Sequence, residues 1–227
     1  MILCMFDRVT IRVSDLEAAR RFYTTVLGEP LHRFETYDRW DDFEIAADGK
    51  PVTRNVHVGF VARSRDEVDE FWRHGVDAGY RSDGKPGARP QYSADYYGAF
   101  LLDPGGNSIE KVHHGDSRPG LVDHLWIGVA DLRAQLRFWE TVAPVLGFRI
   151  KTTPEERFHV AAADGSFALV ADGRPPTENV QLAFPVADDA TVAEFHRLAT
   201  EAGYRDSGGP AVLDPDGNAV EAVHQDR

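Results

Sequence analysis

A length of 227 residues allows two domains of about 110 residues, and a formal net charge of -12 argues against nucleic acid or an anionic membrane as a partner. Cys4 is the only cysteine, which excludes an intrachain disulfide and a thiolate zinc cluster. The opening MILCMF is too short for a signal sequence and no apolar run approaches the ~20 residues of a membrane span, so we expect a cytoplasmic protein.

The first elements are predicted to be a strand followed by a helix. Val9 and Ile11 alternate with polar neighbours, which is the pattern of a strand with one buried face. Ser14 and Asp15 are candidate caps for the helix that follows, and Gly28 ends its apolar stripe. Further strands are predicted between this helix and the next strand–helix pair.

The second strand–helix pair begins at NVHVGFVA, where Ser64 and Glu67 form a capping box. Trp72 lies on the apolar stripe of this helix, and Trp139 lies on the stripe of a later one, so both are predicted to be buried. The same succession returns twice in the second half. The sequence therefore predicts an α+β fold of four βαβββ modules.

The two halves of the chain are a sequence repeat. Residues 7–23, DRVTIRVSDLEAARRFY, return as DHLWIGVADLRAQLRFW, and LLDPGGNSIEKVHH returns as VLDPDGNAVEAVHQ. A period this long indicates duplicated domains. We expect a first domain at 1–115, a linker rich in Gly, Pro and charge at 116–122, and a second domain at 123–227.

One asymmetry separates the halves. The first contains the 20-residue segment SDGKPGARPQYSADYYGAFL where the second has the 7 residues DSGGPAV, a difference of 13. We therefore expect the fourth module to be truncated and to lack the equivalent of residues 86–100. The aromatic residues of that segment belong to the second module alone.

Aligned polar positions stand opposite the apolar faces of their strands. In the first half they are Arg8, His57 and Glu110, and in the second they are His124, Gln181 and Glu221. A curved sheet whose other face packs on helices would direct all six into its concave side. Imidazole and carboxylate groups that converge in a cleft are typical ligands of a divalent metal.

These motifs resemble the vicinal oxygen chelate superfamily, which includes glyoxalases, bleomycin resistance proteins and extradiol dioxygenases. The resemblance rests on DHLWIGVADLRAQLRFWETV, NVHVGFVA and LDPGGNSIEKV and covers the whole chain. It implies two glyoxalase-like domains. It also implies three metal-ligand positions, which fall on Arg8 or His124, on His57 or Gln181, and on Glu110 or Glu221. A fourth ligand position of the family falls on Glu44 and on Ala168.

The sequence leaves two ways to assemble these positions. If the modules pair within each half, the first site contains Arg8, whose guanidinium cannot coordinate a metal. The second site then contains His124, Gln181 and Glu221, in which a neutral amide oxygen replaces an imidazole. If Arg8 contacts Glu110, this within-half pairing is supported.

The other assembly pairs modules across the halves, as small family members do across a dimer interface. Modules two and three then contribute a complete metal set, His57, Glu110 and His124, and Ala168 leaves the fourth position open. Modules one and four collect a degenerate second site, which contains Arg8, Glu44, Gln181 and Glu221. In this arrangement we expect Arg8 to contact Glu221 as a substitute for the lost metal.

Aromatic residues beside the complete set are predicted to form a substrate pocket. They are Tyr92, Tyr96, Tyr97 and Trp126. One of the tyrosines could donate a hydrogen bond to a developing oxyanion. Three other histidines, at strand ends or tails, are expected to be solvated, and they are His113, His114 and His224.

The resemblance implies a metal-dependent enzyme, a lyase, isomerase or dioxygenase, acting on a small oxygen-bearing substrate. The implied cofactor is a divalent metal, Fe, Mn, Ni or Zn. The alternative is a metal-free protein that sequesters a cationic small molecule or antibiotic, with which the acidic composition is compatible. Because the duplication already supplies the partner module, no obligatory metal-site dimer is expected.

Overall fold

The computed structural model describes residues 5–115, 119–153, 157–162 and 165–225. Within these residues the fold is α+β, with four helices and two multi-stranded sheets, as the sequence predicts. The predicted linker lies partly outside the described residues. No helix in the described part of the chain is long and apolar enough to cross a membrane.

The first half contains the first two modules. Its elements are β1 (Arg8–Arg12), α1 (Leu16–Leu27), β2 (His32–Arg33), β3 (Tyr37–Trp40), β4 (Phe43–Ala46), β5 (Val56–Val61), α2 (Arg65–Asp77), β6 (Ser82–Ala88), β7 (Tyr97–Leu102) and β8 (Ser108–His113). Of the two predicted caps of α1, Asp15 is the one that accepts a helix N–H. Ser64 caps α2 by accepting from the backbone N–H of Glu67.

The second half contains modules three and four. Its elements are β9 (Val122–Gly128), α3 (Leu132–Val142), β10 (Arg149–Thr152), β11 (Arg157–Ala161), β12 (Ser166–Val170), β13 (Gln181–Pro185), α4 (Asp189–Glu201), β14 (Ala211–Leu213) and β15 (Ala219–Val223). In the described residues, module four has three strands where module two has four. The truncation expected from the missing segment is therefore present.

Each sheet joins strands from both halves of the chain. The first sheet has the order β14-β15-β13-β1-β4-β3-β2, and the second has the order β10-β11-β12-β9-β5-β8-β7-β6. The halves meet where β1 pairs antiparallel with β13 and where β5 pairs antiparallel with β9. Modules one and four therefore share the first sheet, and modules two and three share the second.

The helices are arranged differently from the strands: the two helices of each half lie close together. Phe22 of α1 lies edge-on to Tyr80 just after α2, with ring centroids 4.8 Å apart, and Phe138 of α3 lies in the same way against Tyr204, also at 4.8 Å. The strands of each half thus pair with strands of the other half, whereas the helices of each half pack near each other. Whether 1–115 and 123–227 are separate folding units stays a prediction.

The core lies between the helices and one face of each sheet. Val9 and Ile11 of β1, like Val58 of β5, are fully buried there, and so is Trp139 on α3. Trp72 is partly buried and packs against the same core. Because side chains alternate along a strand, the polar neighbours of these residues face the opposite, concave side of each sheet.

Candidate metal centre

The centre of the second sheet brings three polar side chains together. In the register of β5, Gly59 stands opposite His124 of β9 on one side and opposite Glu110 of β8 on the other. His57 is two residues earlier on β5, so it lies on the same face of the sheet. The residues that the cross-paired arrangement assigns to one site are therefore neighbours.

The ligand atoms of this triad point at one another. His57 Nε2 lies 3.3 Å from His124 Nε2 and 3.1 Å from Glu110 Oε2, and His124 Nε2 lies 3.4 Å from Glu110 Oε2. A metal bonded to nitrogen and oxygen at typical lengths sets its neighbouring donors about 3.0–3.5 Å apart. The spacing of the triad fits a divalent metal without rearrangement.

Two glycines make room for the triad. A Cβ atom at Gly59 would lie 2.3 Å from Cε1 of His124, and a Cβ atom at Gly98 on β7 would lie 2.3 Å from Oε1 of Glu110. Real side chains do not tolerate such contacts, so any larger residue would displace the imidazole or the carboxylate. Sequence reasoning missed both glycines, although the replacement of Gly59 by Ala183 in the second half was a visible signal.

His57 is oriented by a chain of hydrogen bonds behind it. Ser108 Oγ donates to Asp83 Oδ2 at 2.8 Å, because a carboxylate only accepts. The same Oγ lies 3.2 Å from His57 Nδ1 and therefore accepts its N–H. This bond fixes the tautomer and leaves the Nε2 lone pair directed at the triad.

His124 is oriented in the same way by a buried carboxylate. Its Nδ1 lies 2.8 Å from Asp123 Oδ1, and the same oxygen lies 3.0 Å from Nε2 of His114. The expectation that His114 is solvated is therefore wrong, since its side chain is only 17% exposed. Its partner comes from beyond the predicted linker, which the local sequence did not indicate.

The other two histidines expected to be solvated are also partly buried. His113 Nδ1 lies 3.1 Å from the backbone oxygen of Ala62, and His224 Nδ1 lies 3.1 Å from Asp189 Oδ1. Each is positioned by the element that packs beside its strand end. Neither contacts the triad.

The three residues of the triad shift one another's pKa values. Burial lowers the pKa of His57, and the bond to Glu110 only partly opposes this. For His124, burial also acts to lower the pKa, but the contacts with Asp123 and Glu110 outweigh it and raise the pKa. Burial would raise the pKa of Glu110, yet the two histidines hold it below its usual value. The carboxylate therefore remains charged, and a cation or a proton must lie among the three groups.

The second oxygen of Glu110 is held by a tyrosine. Tyr96 OH donates to Glu110 Oε1 at 2.8 Å, and burial together with this carboxylate raises the pKa of Tyr96 well above its usual range. Tyr96 therefore stays protonated and positions the carboxylate. Its hydroxyl is already committed, so it is not the donor for a developing oxyanion.

The triad opens into a cavity of about 900 Å³. Tyr92, Tyr96 and Trp126 line it, as the sequence predicts, and the Tyr92 and Trp126 rings are 6.4 Å apart. Tyr97 lies elsewhere: its hydroxyl donates to Asp69 on α2. Because Tyr96 and Tyr97 are consecutive in an extended segment, they project to opposite faces, so both could not line one pocket.

The fourth ligand position has no donor in this sheet. Ala168 of β12 stands opposite Trp126, just as Glu44 of β4 stands opposite Thr10 in the first sheet. The register therefore makes Ala168 and Glu44 equivalent, as the sequence predicts. His159 of β11 stands next to Ala168 and lines the cavity, a residue that sequence reasoning did not single out.

The equivalent place in the first sheet contains a guanidinium. Arg8 Nη2 lies 2.9 Å from Glu221 Oε1, which confirms the contact expected for cross-paired modules. Gln181 Nε2 donates to the same oxygen at 3.1 Å, and Arg8 Nε lies 3.9 Å from Glu44 Oε1. Burial, the largest influence, raises the pKa of Glu44 despite the nearby Arg8.

A second arginine, which sequence reasoning missed, completes this cluster. Arg12 Nη2 donates to Gln181 Oε1 at 2.7 Å and its Nε donates to Asp48. Arg12 aligns with Gly128 of the other half, so the first sheet has a buried cation where the second sheet has no side chain. The cluster is a network of hydrogen bonds and ion pairs between two arginines, an amide and carboxylates.

Comparison with known proteins agrees with this architecture. Residues 5–110 match the family model described as Glyoxalase/Bleomycin resistance protein/Dioxygenase superfamily. Glyoxalase I from Zea mays is similar in fold, with a TM-score of 0.66 and 18% identity over 96% of this chain and 92% of the other. A proposed dioxygenase from Bacillus subtilis has a TM-score of 0.63 and 13% identity, over 99% and 86%. No curated protein matches the chain significantly.

Proposed function

The chain belongs to the glyoxalase/bleomycin resistance protein/dioxygenase superfamily, and from this premise we propose that it is a metal-dependent enzyme with one working site. His57, Glu110 and His124 hold the divalent metal. The substrate is a small molecule that presents one or two oxygens to it. The second site, centred on Arg8, binds no metal.

One observation carries the proposal: three donor atoms converge at the spacing of metal ligands. Both imidazoles use Nδ1 to donate outward, to Ser108 and to Asp123. Their Nε2 atoms lie 3.3 Å apart beside a buried carboxylate. Two imidazole nitrogens and an anion at this spacing need a proton or a cation between them, and a metal with open positions satisfies all three at once.

The residues around the triad have distinct roles in this proposal. A bound divalent metal would supply Lewis acidity to the substrate oxygens. Ala168 leaves space beside the triad for those oxygens, while Tyr92 and Trp126 form aromatic walls against which a flat substrate can pack. Tyr92 OH is the tyrosine hydroxyl of the predicted pocket that is left to donate to an oxyanion, because Tyr96 holds Glu110 and Tyr97 faces α2.

Elemental analysis of protein purified without an affinity tag tests the proposal. We expect one transition metal per chain, and we expect glyoxalase-type isomerisation or dioxygen-dependent ring cleavage to depend on reloading that metal after chelation. Protein that neither retains nor rebinds Fe, Mn, Ni or Zn stoichiometrically would favour the metal-free binder of a cationic small molecule. Calorimetry with a polycationic antibiotic would then distinguish that function.

A further inference from the structure

One wall of the cavity is built by the segment that module four lacks. Within it, β6, β7 and the loop between them place Arg89, Tyr92, Tyr96 and Phe100 around the cavity. In the part of the chain that the structure describes, the Arg8 cluster of the first sheet has no counterpart of this wall. The segment is therefore tied to the site that keeps the complete triad.

Arg89 lies one aromatic ring away from the triad. Its guanidinium carbon is 5.6 Å from the ring centroid of Phe100, and that ring is 5.8 Å from the ring of His57. A guanidinium that lies over an aromatic ring can still use its N–H groups as hydrogen-bond donors. Arg89 is thus a fixed donor at the end of a flat surface that begins at the candidate ligand.

The hydrogen bonds of Arg89 leave it capacity for a ligand. Nη1 donates to the backbone oxygen of Ala88 at 3.2 Å, and Nη2 donates to that of Lys85 at 2.9 Å. A guanidinium carries five N–H donors, so three remain. Among the residues that the structure describes, no carboxylate lies within ion-pair distance of Arg89, in contrast to Arg174, which pairs with Asp172.

Two glycines on β6 create the space for this arrangement. A Cβ atom at Gly84 would lie 2.8 Å from Cδ2 of Phe100, and a Cβ atom at Gly87 would lie 2.8 Å from Nη1 of Arg89. The register of β6 against β7 shifts between Ser82 and Gly87, which bends the strand over the cavity. The backbone therefore accommodates both the ring and the guanidinium.

The carboxylates of the cavity do not neutralise this cation. Glu110 and Asp123 are held by the histidines and Tyr96, and Asp83 accepts from Ser108. Asp95 is exposed on the loop at the rim.

We propose that the substrate is an organic anion whose charged group binds Arg89 while its oxygens at the other end reach the triad, with a flat spacer against Phe100 and Tyr92. This assignment rests on the proposed function for the role of the triad. It is nevertheless testable apart from the metal, because Arg89 acts on charge alone. It also predicts that the cavity disfavours the cationic ligands with which the acidic composition is compatible.

Four aromatic probes separate charge from chelation. The chelating pair is 3,4-dihydroxybenzoate and 3,4-dihydroxybenzamide, and the non-chelating pair is benzoate and benzamide. Binding to the full chain is measured by calorimetry without oxygen, with and without Zn²⁺. We expect each acid to bind about tenfold more tightly than its amide, which is the effect of a charge-assisted hydrogen bond.

Three variants assign the preference to Arg89. In Arg89→Gln the acid-to-amide ratio should fall to about one, and in Arg89→Lys part of it should remain because the charge is kept. The matched control is Arg65→Gln. Like Arg89, Arg65 lies over an aromatic ring, with its guanidinium carbon 5.2 Å from the centroid of the Tyr97 ring, but it lies on the helix side of the sheet. This control should behave as the wild type, and circular dichroism should show that every variant is folded.

The outcomes distinguish the two proposals. Equal binding of acid and amide by the wild type, persistence of the preference in Arg89→Gln, or no binding of either acid at millimolar concentration overturns the anion assignment. If Zn²⁺ strengthens both chelating probes but each acid binds no more tightly than its amide, the metal site stands and the anion assignment falls. If Zn²⁺ strengthens neither but the acids keep their Arg89-dependent advantage, the metal site falls and the anion assignment stands.

Discussion

The two sheets share three corresponding polar positions, but different residues occupy two of them. His124 corresponds to Arg8, His57 to Gln181, and Glu110 to Glu221, and in both sheets the carboxylate is buried. The second sheet surrounds its carboxylate with imidazoles and a cavity. The first surrounds its carboxylate with a guanidinium and an amide.

The difference shows what a buried carboxylate requires where no imidazole lies beside it. A charge without a partner is costly in the interior, so a cation has to lie near Glu221. Arg8 supplies it from the position that corresponds to His124. The strand residue next to the carboxylate also differs, since the first sheet has Ala183 where the second has Gly59. A Cβ atom is tolerated at this position only if no imidazole packs against it, as that of His124 packs against Gly59.

The largest expected effect tests which site binds metal. His57→Ala and His124→Ala each remove one of three donors, so we expect the affinity for Zn²⁺ to fall about a thousandfold, more than the loss of an outer-shell partner causes. Gln181→Ala is the matched change in the first sheet and should leave the affinity unchanged. Competition titration with a chromophoric chelator measures both.

The reverse result would place the metal in the other sheet. If Gln181→Ala abolished binding while His57→Ala spared it, the assignment of the two sites would have to be exchanged. Separately expressed halves offer a second check. Since His124 and Glu110 come from different halves, neither half should bind Zn²⁺ tightly.

The next effect concerns the guanidinium of Arg8, which contacts the buried Glu221. Arg8→Met leaves Glu221 with only the Gln181 amide, and we expect it to lower the free energy of unfolding by about 2 kcal/mol, less than for a fully buried pair because Arg8 keeps some exposure. Adding Glu221→Gln to Arg8→Met should recover part of the loss, since no unpaired charge then remains. Urea denaturation at pH 7 measures both variants, and a double variant less stable than the single one would refute the surrogate role.

A smaller effect is expected where the two sheets differ by a single methyl group, at Gly59 and Ala183. Gly59→Ala places a Cβ atom against the His124 ring, so the ring must move and the affinity for Zn²⁺ should fall about tenfold. The mirror change Ala183→Gly should not affect Zn²⁺ and should cost the fold about 1 kcal/mol at most. Unchanged Zn²⁺ affinity in Gly59→Ala would show that the imidazole position observed here is not required.

Much of this comparison could be predicted from the repeat alone. Alternation along the strands placed Arg8, His57 and His124 on the concave side, and the pattern of lost histidines favoured modules that pair across the halves. The same alternation puts Arg12 on the polar face of its strand with Arg8, although Arg12 was not among the predicted site residues. It also implies that Tyr96 and Tyr97 face apart, which the predicted pocket did not take into account.

Other features depend on contacts that no local pattern encodes. His114 meets Asp123 only because β8 and β9 lie on either side of β5 in the same sheet, and Ser108 reaches Asp83 only after β6 bends. Gly98 and Gly87 are required by side chains that arrive from other positions, namely Glu110 and Arg89. Such residues are recognised once the register is known, since their role is to leave space.

The two sheets are also linked directly, through Asp42 in the turn between β3 and β4. Its Oδ1 accepts from the backbone N–H groups of Leu121 and Val122, at 3.1 and 3.0 Å, where β9 begins the path to His124. Burial raises the pKa of Asp42 to about 7, and the two N–H donors offset this only in part. A carboxyl group in the turn of one sheet thus contacts the strand that carries His124 in the other.

The smallest expected effect follows from this titration. Because the folded pKa lies above the usual value of 3.8, the folded state holds the proton more tightly, so the stability that protonated Asp42 contributes is greatest at low pH and is lost as the pH rises through about 7. Asp42→Asn imitates the protonated form at every pH and keeps an acceptor oxygen. We therefore expect its free energy of unfolding, relative to the wild type, to increase by about 1 kcal/mol between pH 6 and pH 8. Urea denaturation at both pH values measures the difference, with Glu35→Gln as the exposed control, and a difference that does not change with pH would mean that Asp42 is charged in the folded protein throughout.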